Sequence, residues 1–432
     1  MRKLTEHLDR YQLLYLLIFS IFLTFNLHSK SKINSYHHVL WADGSGYYMY
    51  LPATFEYGYS VKNMPDSLEM KTGGGYTTDM ENDLIKIKYT YGVALLELPF
   101  YLIGNVINYF SDNNEGGFGK VQHSMIMLSG VFYLILGLYF LKRFLSSIFN
   151  SGIASLTILF IFGTTTLFYY GIHKGSYAHI YLFFLFSFSL YRANQVIEKR
   201  TIKNYLLLIL PLTLSIIIRP TSILVLPLLM FIRCINKADF MQRILLLKTD
   251  IKKILIAVGI SSVLFIPQMI YWYYVSGSFI SYSYGSEGFS NLASPKIAEI
   301  LFSPKNGLFL YSPVIFFIFI YMIINSGKNK YNLLLLSVFV ISVYLFASWE
   351  TWTFGCSYGS RSFTEYSAFY TVALAAWINS YSNKQNKIPI VTLCSILIYC
   401  SYINIKTVYA YDDCYYGDTW DFETFFKVIK LV

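Results

Sequence analysis

The chain has 432 residues, 55% of them hydrophobic and 13% charged, with a formal net charge of +10. A soluble domain of this size needs far more charge to cover its surface, so the composition excludes an ordinary soluble protein and points to a polytopic membrane protein. The positive charge divides by loop: the segments read as inside (1–10, 142–151, 192–203, 233–253, 326–331 and 382–388) hold 19 of the 34 Lys and Arg but five of the 24 acids. That leaves the inside net +14 and the outside net −4, the sense of the positive-inside rule, and nucleic-acid binding is not expected.

The first span is expected over 11–28, with MRKLTEHLDR inside as a retained signal anchor, since no A-x-A cleavage pattern follows. Residues 29–120 then read as a long outer loop region. It holds WADGSGYYMYLPATFEYGYS at 41–60, where Gly44 and Gly46 let the backbone turn after Asp43 and several tyrosines suit a bilayer surface. A flexible GGGYTTD segment around Gly74 follows, then the apolar run 89–110. Length alone makes that run a span, but a crossing there would place the basic ends at 142–143 and 192–203 outside. With Glu97 and Pro99 in its middle, it reads as a re-entrant or interfacial helix.

Further spans are expected near 121–141, 152–170 and 177–192, the last two joined by the short outer turn GIHKGSYAH. The stretch 204–232 is broken once, at Arg219-Pro220, and both flanks are basic. It reads as a hairpin that lifts Arg219 to the outer side, where a lone cation marks a candidate functional residue. Spans near 254–274, 307–325, 332–348, 364–381 and 389–405 complete an all-α fold of about eleven transmembrane helices in one membrane domain, 1–432, with an outer C-terminal tail at 406–432. No internal repeat of the transporter kind is found.

Asp43 is the leading candidate for chemistry, and two roles are open to it: capping the helix that starts near Ser45, or acting as general base toward an attacking hydroxyl. The basic candidates on the outer side are Arg219, Lys174 with His173 in GIHKGSYAH, Lys305 in LFSPKNGLFLYSP and Arg361 in WETWTFGCSYGSRSF. One by one they suit lipid headgroups; together they suit a held phosphate. Tyr47, Tyr48, Trp349, Trp352 and Tyr358 are expected to line a substrate. Five cysteines show no metal or redox spacing; Cys356 and Cys414 both lie outside by this topology and could pair.

The ordered set of ADGSGYYMYLPA, KYTYGVALLELPFY, IIIRPTSILVLPLL, SPKNGLFLYSPV and FGCSYGSR resembles the GT-C class of membrane glycosyltransferases, which contains protein O-mannosyltransferases, the aminoarabinose transferase of lipid A and oligosaccharyltransferases. The resemblance covers most of the chain. It implies Asp43 as the acid of the first outer loop, and Arg219, Lys305 and Arg361 as contacts to a carrier phosphate. It also implies inverting transfer of a sugar from a polyprenyl-phosphate carrier to a hydroxyl of a glycan, lipid or protein, on the outer face of a bacterial cytoplasmic membrane. Metal-using members place an acidic pair in the outer turn that here reads GIHKGSYAH. No metal ion or other cofactor is therefore expected, and Lys174 or His173 would neutralise charge instead. A polymerase or ligase acting on lipid-linked glycans, a transporter and a structural envelope partner are the competing readings.

Overall fold

The computed structural model describes residues 2–30, 39–66, 68, 72–111, 115–382, 384–411 and 420–430. The chain is helical almost throughout. In order come α1 (Arg2–Lys30), α2 (Asp43–Tyr48), α3 (Gly92–Ser111), α4 (Lys120–Leu145), α5 (Ser151–Thr164), α6 (Ala178–Glu198) and α7 (Ile202–Ile218). They are followed by α8 (Lys237–Thr249), α9 (Ile251–Ser276), α10 (Pro313–Asn325), α11 (Lys330–Ala347), α12 (Ser367–Ser382), α13 (Ile388–Ala410) and α14 (Phe422–Ile429). Among the described residues six helices, α3, α4, α6, α9, α11 and α13, are long and apolar enough to cross a membrane, and α5, α7 and α10 are shorter apolar helices. The protein is thus all-α in its membrane-spanning mass and polytopic.

The packing orders the ends of the bundle. Lys142, in the last turn of α4, pairs with Asp9 of α1 at 2.9 Å, so those two basic-flanked ends share one side. At the middle of α4, Gly130 meets the turn before α6 so closely that a Cβ there would lie 2.4 Å from the Gly175 Cα. Helix α3 runs antiparallel along the half of α4 farther from Lys142. Tyr133 donates to the Leu96 carbonyl at 2.9 Å, and near the other end of α3 Asn108 donates to Gln122 at 2.7 Å. Its start touches the end of α7, where Thr90 donates to the Ile217 carbonyl. By length and composition α3 is able to cross a membrane.

The GGGYTTD segment departs from the flexible reading. Tyr76–Asp79 (β1) and Leu84–Ile87 (β2) form an antiparallel hairpin in the register Tyr76↔Ile87 and Thr77↔Lys86. Alternation puts Tyr76, Ile85 and Ile87 in the interior. The Tyr271 hydroxyl of α9 clamps the second strand, receiving from the Ile87 N–H and donating to the Ile85 carbonyl. Arg219 ends α7 in an extended conformation, and Pro220–Val225 begins the return as a 3₁₀ turn. Proline can sit at the first position of that turn because its missing N–H is unpaired there anyway. Cys356 is disulfide-bonded; its expected partner Cys414 lies outside the described residues.

Candidate functional site

Asp43 opens α2 but does not cap it. The N-cap is Ala42, held at φ 51°, which supplies no side-chain hydrogen bond to the start of the helix. A non-glycine residue in that region is uncommon and carries backbone strain. Ala42 is tied down by its own N–H to the Thr72 carbonyl at 2.7 Å and by the Ser45 hydroxyl to its carbonyl at 2.8 Å. The glycines after it act through space as much as through torsion. A Cβ at Gly44 would meet the Ser176 hydroxyl at 2.3 Å, and one at Gly46 would meet the Tyr89 ring at 2.6 Å and the Gly75 carbonyl at 2.5 Å. Two glycines therefore let α2 press against the turn before α6 and against the approach to α3.

That seating spends both oxygens of the Asp43 carboxylate. One lies 2.8 Å from the Arg361 guanidinium, and the other accepts the Tyr89 hydroxyl at 2.6 Å. Tyr89 in turn stacks on Tyr47 with centroids 4.2 Å apart. Burial pushes the Asp43 carboxyl up, but Arg361, the Tyr89 hydroxyl and Arg219 together hold it below the ordinary aspartate value. Arg361 also lies 5.7 Å from the Tyr177 ring. Neither partner is sealed: the side chains of Asp43 and Arg361 keep 20% and 11% of their exposure.

A second acid and arginine stand beside the first pair. Arg219 approaches Glu365 at 3.6 Å, and the other Glu365 oxygen meets His179 Nδ1 at 2.8 Å. Glu365 and His179 are fully enclosed, whereas the mostly buried Arg219 side chain retains 18% exposure. Above both pairs, the irregular segment 277–296 brings Tyr284 edge-on to Tyr89 at 6.0 Å, and Lys88 closes on Glu287 at 2.6 Å. The result is two guanidinium groups and one reachable carboxylate under an aromatic roof, an arrangement able to hold a phosphate-sized anion and accept a proton beside it.

Asp43, Arg219, Arg361 and Tyr47 are thus gathered at one place. Lys174 is adjacent, 6.0 Å from the same Tyr177 ring that faces Arg361, and Trp349 is one ring further out, edge-on to Tyr284 at 5.9 Å. Other candidates stand apart. Tyr48 is buried with its hydroxyl on the Gly117 carbonyl, and Tyr358 is buried with its hydroxyl among Asn404 and Thr407. His173 packs on the Tyr169 ring at 5.1 Å, and Trp352 packs against the core. Lys305 belongs to the 303–307 turn, whose Pro304 carbonyl is held by Tyr311 and Trp420. Glu365, His179, Tyr89 and Tyr284 went unread in the sequence. An acid at the mouth of an apolar segment, four residues after Arg361, was the available signal for Glu365.

Among the described residues no three His, Cys, Asp or Glu side chains gather as metal ligands. Both oxygens of the Asp43 carboxylate are engaged, one by a guanidinium and the other by a phenol.

No family model and no curated protein matches the chain. Among solved structures it is similar to the apo oligosaccharyltransferase of Archaeoglobus fulgidus, with a TM-score of 0.53 and 13% sequence identity over 98% of this chain. The chain spans 60% of the length of that protein. At such identity the likeness speaks for architecture alone, and the architecture it supports is a GT-C-like, all-α, polytopic membrane fold.

Proposed function

We propose that the chain is a glycosyltransferase of the outer face of a bacterial cytoplasmic membrane, moving a sugar from a polyprenyl-phosphate carrier to a hydroxyl acceptor with inversion. The observation that carries this reading is the Asp43–Arg361 pair, partly exposed, with Arg219 beside it. The GT-C-like fold supports it as an analogy.

In this mechanism the carrier phosphate takes its place between Arg361 and Arg219. The bond between the anomeric carbon and the phosphate oxygen breaks as the acceptor oxygen attacks the opposite face of the sugar. Negative charge grows on the leaving phosphate, where fixed cations stabilise the transition state more than the ground state. The acceptor proton passes to Asp43. A carboxylate locked to Arg361 is a weak base, and an incoming phosphate that shares Arg361 loosens that lock. Donor binding thereby prepares the base. Lys174 adds positive charge at the edge, Glu365 and His179 hold Arg219, and the outer region 29–120 supplies the floor while 1–432 acts as one membrane domain.

The test uses the purified full chain. Polyprenyl phosphate should bind wild type and Asp43→Asn alike and Arg361→Ala weakly, as read by native mass spectrometry. Transfer from the polyprenyl-phosphate sugar fraction of the source membrane should depend on Asp43. If Arg361→Ala binds polyprenyl phosphate as wild type does, the phosphate site is elsewhere and this assignment fails.

A further inference from the structure

A cavity of about 760 Å³ runs along α7 on a face other than the one where Leu214 and Ile218 meet Gly92, walled by α6, α7, α8, α9 and the return segment after Arg219. Its walls are aliphatic, from Ile209 and Ile216 of α7 to Leu247 of α8 and Val258 of α9. One end is basic: Arg200, Arg243 and Lys248 all line it.

Helix α8 covers that basic end without filling the space. Not one of its thirteen residues is buried, although Met241 and Leu245 leave 53% and 59% of their apolar surface uncovered. A helix that carries basic residues and leaves apolar side chains uncovered on the side away from the cavity is suited to a membrane surface. The cations at the cavity end, Arg200, Arg243, Lys248 and Lys253, outnumber the acids beside them, Asp239 and Asp250. Arg200 is matched by Asp250 at 3.3 Å, which Lys253 at 2.7 Å and the Tyr205 hydroxyl also share. Arg243 donates to the neutral carbonyls of Met230 and Ile232, which fix its direction, and the acid that bears on it is Asp239 of the same helix, whose carboxylate is already bonded to the Ile235 and Asn236 N–H groups. Lys248 adds another positive charge at the rim.

We propose that this cavity is a phospholipid site that takes one acyl chain of an anionic lipid along α7 and holds its phosphate at Arg243 and Lys248. From Tyr205 to Ile216 the wall is about 17 Å long at the helical rise, deep enough for an acyl chain rather than a headgroup alone. A zwitterionic lipid would fill the apolar part equally but would leave the surplus charge unmatched. The carrier's isoprenoid tail would fill it too, and would give the basic end no anion, since its phosphate belongs with Arg219 and Arg361. The exclusion of the carrier rests on the transferase reading; the anionic lipid itself is assigned from the cavity and its basic end alone.

Full-length protein is delipidated in detergent and titrated with phosphatidylglycerol, phosphatidylcholine or polyprenyl phosphate, with bound lipid counted by native mass spectrometry. Phosphatidylglycerol should bind tightest, and Arg243→Gln with Lys248→Gln should weaken it roughly ten- to thirtyfold without affecting phosphatidylcholine. Thr213→Phe, which fills the cavity from α7, should remove it. Should the paired substitution unfold the chain, hydrogen exchange on wild type decides: 237–253 should be slower in anionic than in zwitterionic nanodiscs. Equal retention of the two phospholipids, equal exchange, or displacement of phosphatidylglycerol by polyprenyl phosphate each overturns the proposal.

Discussion

Asp43 stands between a guanidinium and a phenol, and those partners give its substitution a readable outcome. Asparagine keeps the shape and can still accept from Tyr89 while losing the base, so Asp43→Asn should leave the fold and polyprenyl-phosphate binding intact and cut turnover by about 10²–10⁴. Transfer at a near wild-type rate in folded protein would leave Asp43 a structural residue. Glu365 answers a different question. It is enclosed, holds Arg219 and receives His179, so Glu365→Gln strands a mostly buried cation and should destabilise the protein by about 3 kcal/mol or more. Thermal unfolding in detergent measures this, and an unchanged midpoint would mean that Arg219 finds another anion. The same donor set predicts that transfer survives a strong chelator; loss of activity restored by manganese would make Asp43 a ligand.

Helix α2 shows how much of the local structure could be read and how much could not. The sequence pattern DGSG suggests a turn after Asp43, but the turn lies at 39–42 and both glycines are helical; they are required chiefly because Ser176, Gly75 and Tyr89 press against the helix. Those neighbours are 29 or more residues away, so composition alone carries no trace of them. Gly46→Ala should therefore cost about 1–3 kcal/mol and displace Tyr89 from Asp43, seen as a lowered melting midpoint together with reduced turnover. A substitution that lowers neither would show that the ring moves aside freely. The β1–β2 hairpin was missed for a related reason: its strands are four residues each, and three consecutive glycines before them read as slack chain. What gives it order is Tyr271, contributed by a helix nearly two hundred residues later.

Across the whole molecule, apolar runs and loop charges were enough to forecast a polytopic helical domain, because bilayer thickness and the positive-inside bias both write themselves into sequence. The tertiary pairing of Arg219 with Glu365 was beyond them, since it depends on α7 ending next to the turn before α12. Side assignment follows from the same charges and has its own test. A cysteine at 199 should resist an impermeant thiol reagent in intact cells, and one at 62 or 81 should react. Labelling at 199 would invert the arrangement and make α3 a crossing helix.

The Lys88–Glu287 contact carries a consequence for how the protein responds to its medium. It joins the residue after β2 to the 277–296 segment at the water-facing rim, with the two side chains 28% and 46% exposed. Ions reach such a pair readily: raising ionic strength from 0.1 to 1 M shortens the screening distance from about 10 Å to about 3 Å. The Asp43–Arg361 pair beneath, less exposed, is shielded from that change. Brine should thus loosen the roof while sparing the floor, accelerating amide exchange at 278–290 well before it disturbs 43–48. The protein would then register the ionic strength of its medium through the speed of access to the Asp43 pocket, with the Asp43–Arg361 contact left in place.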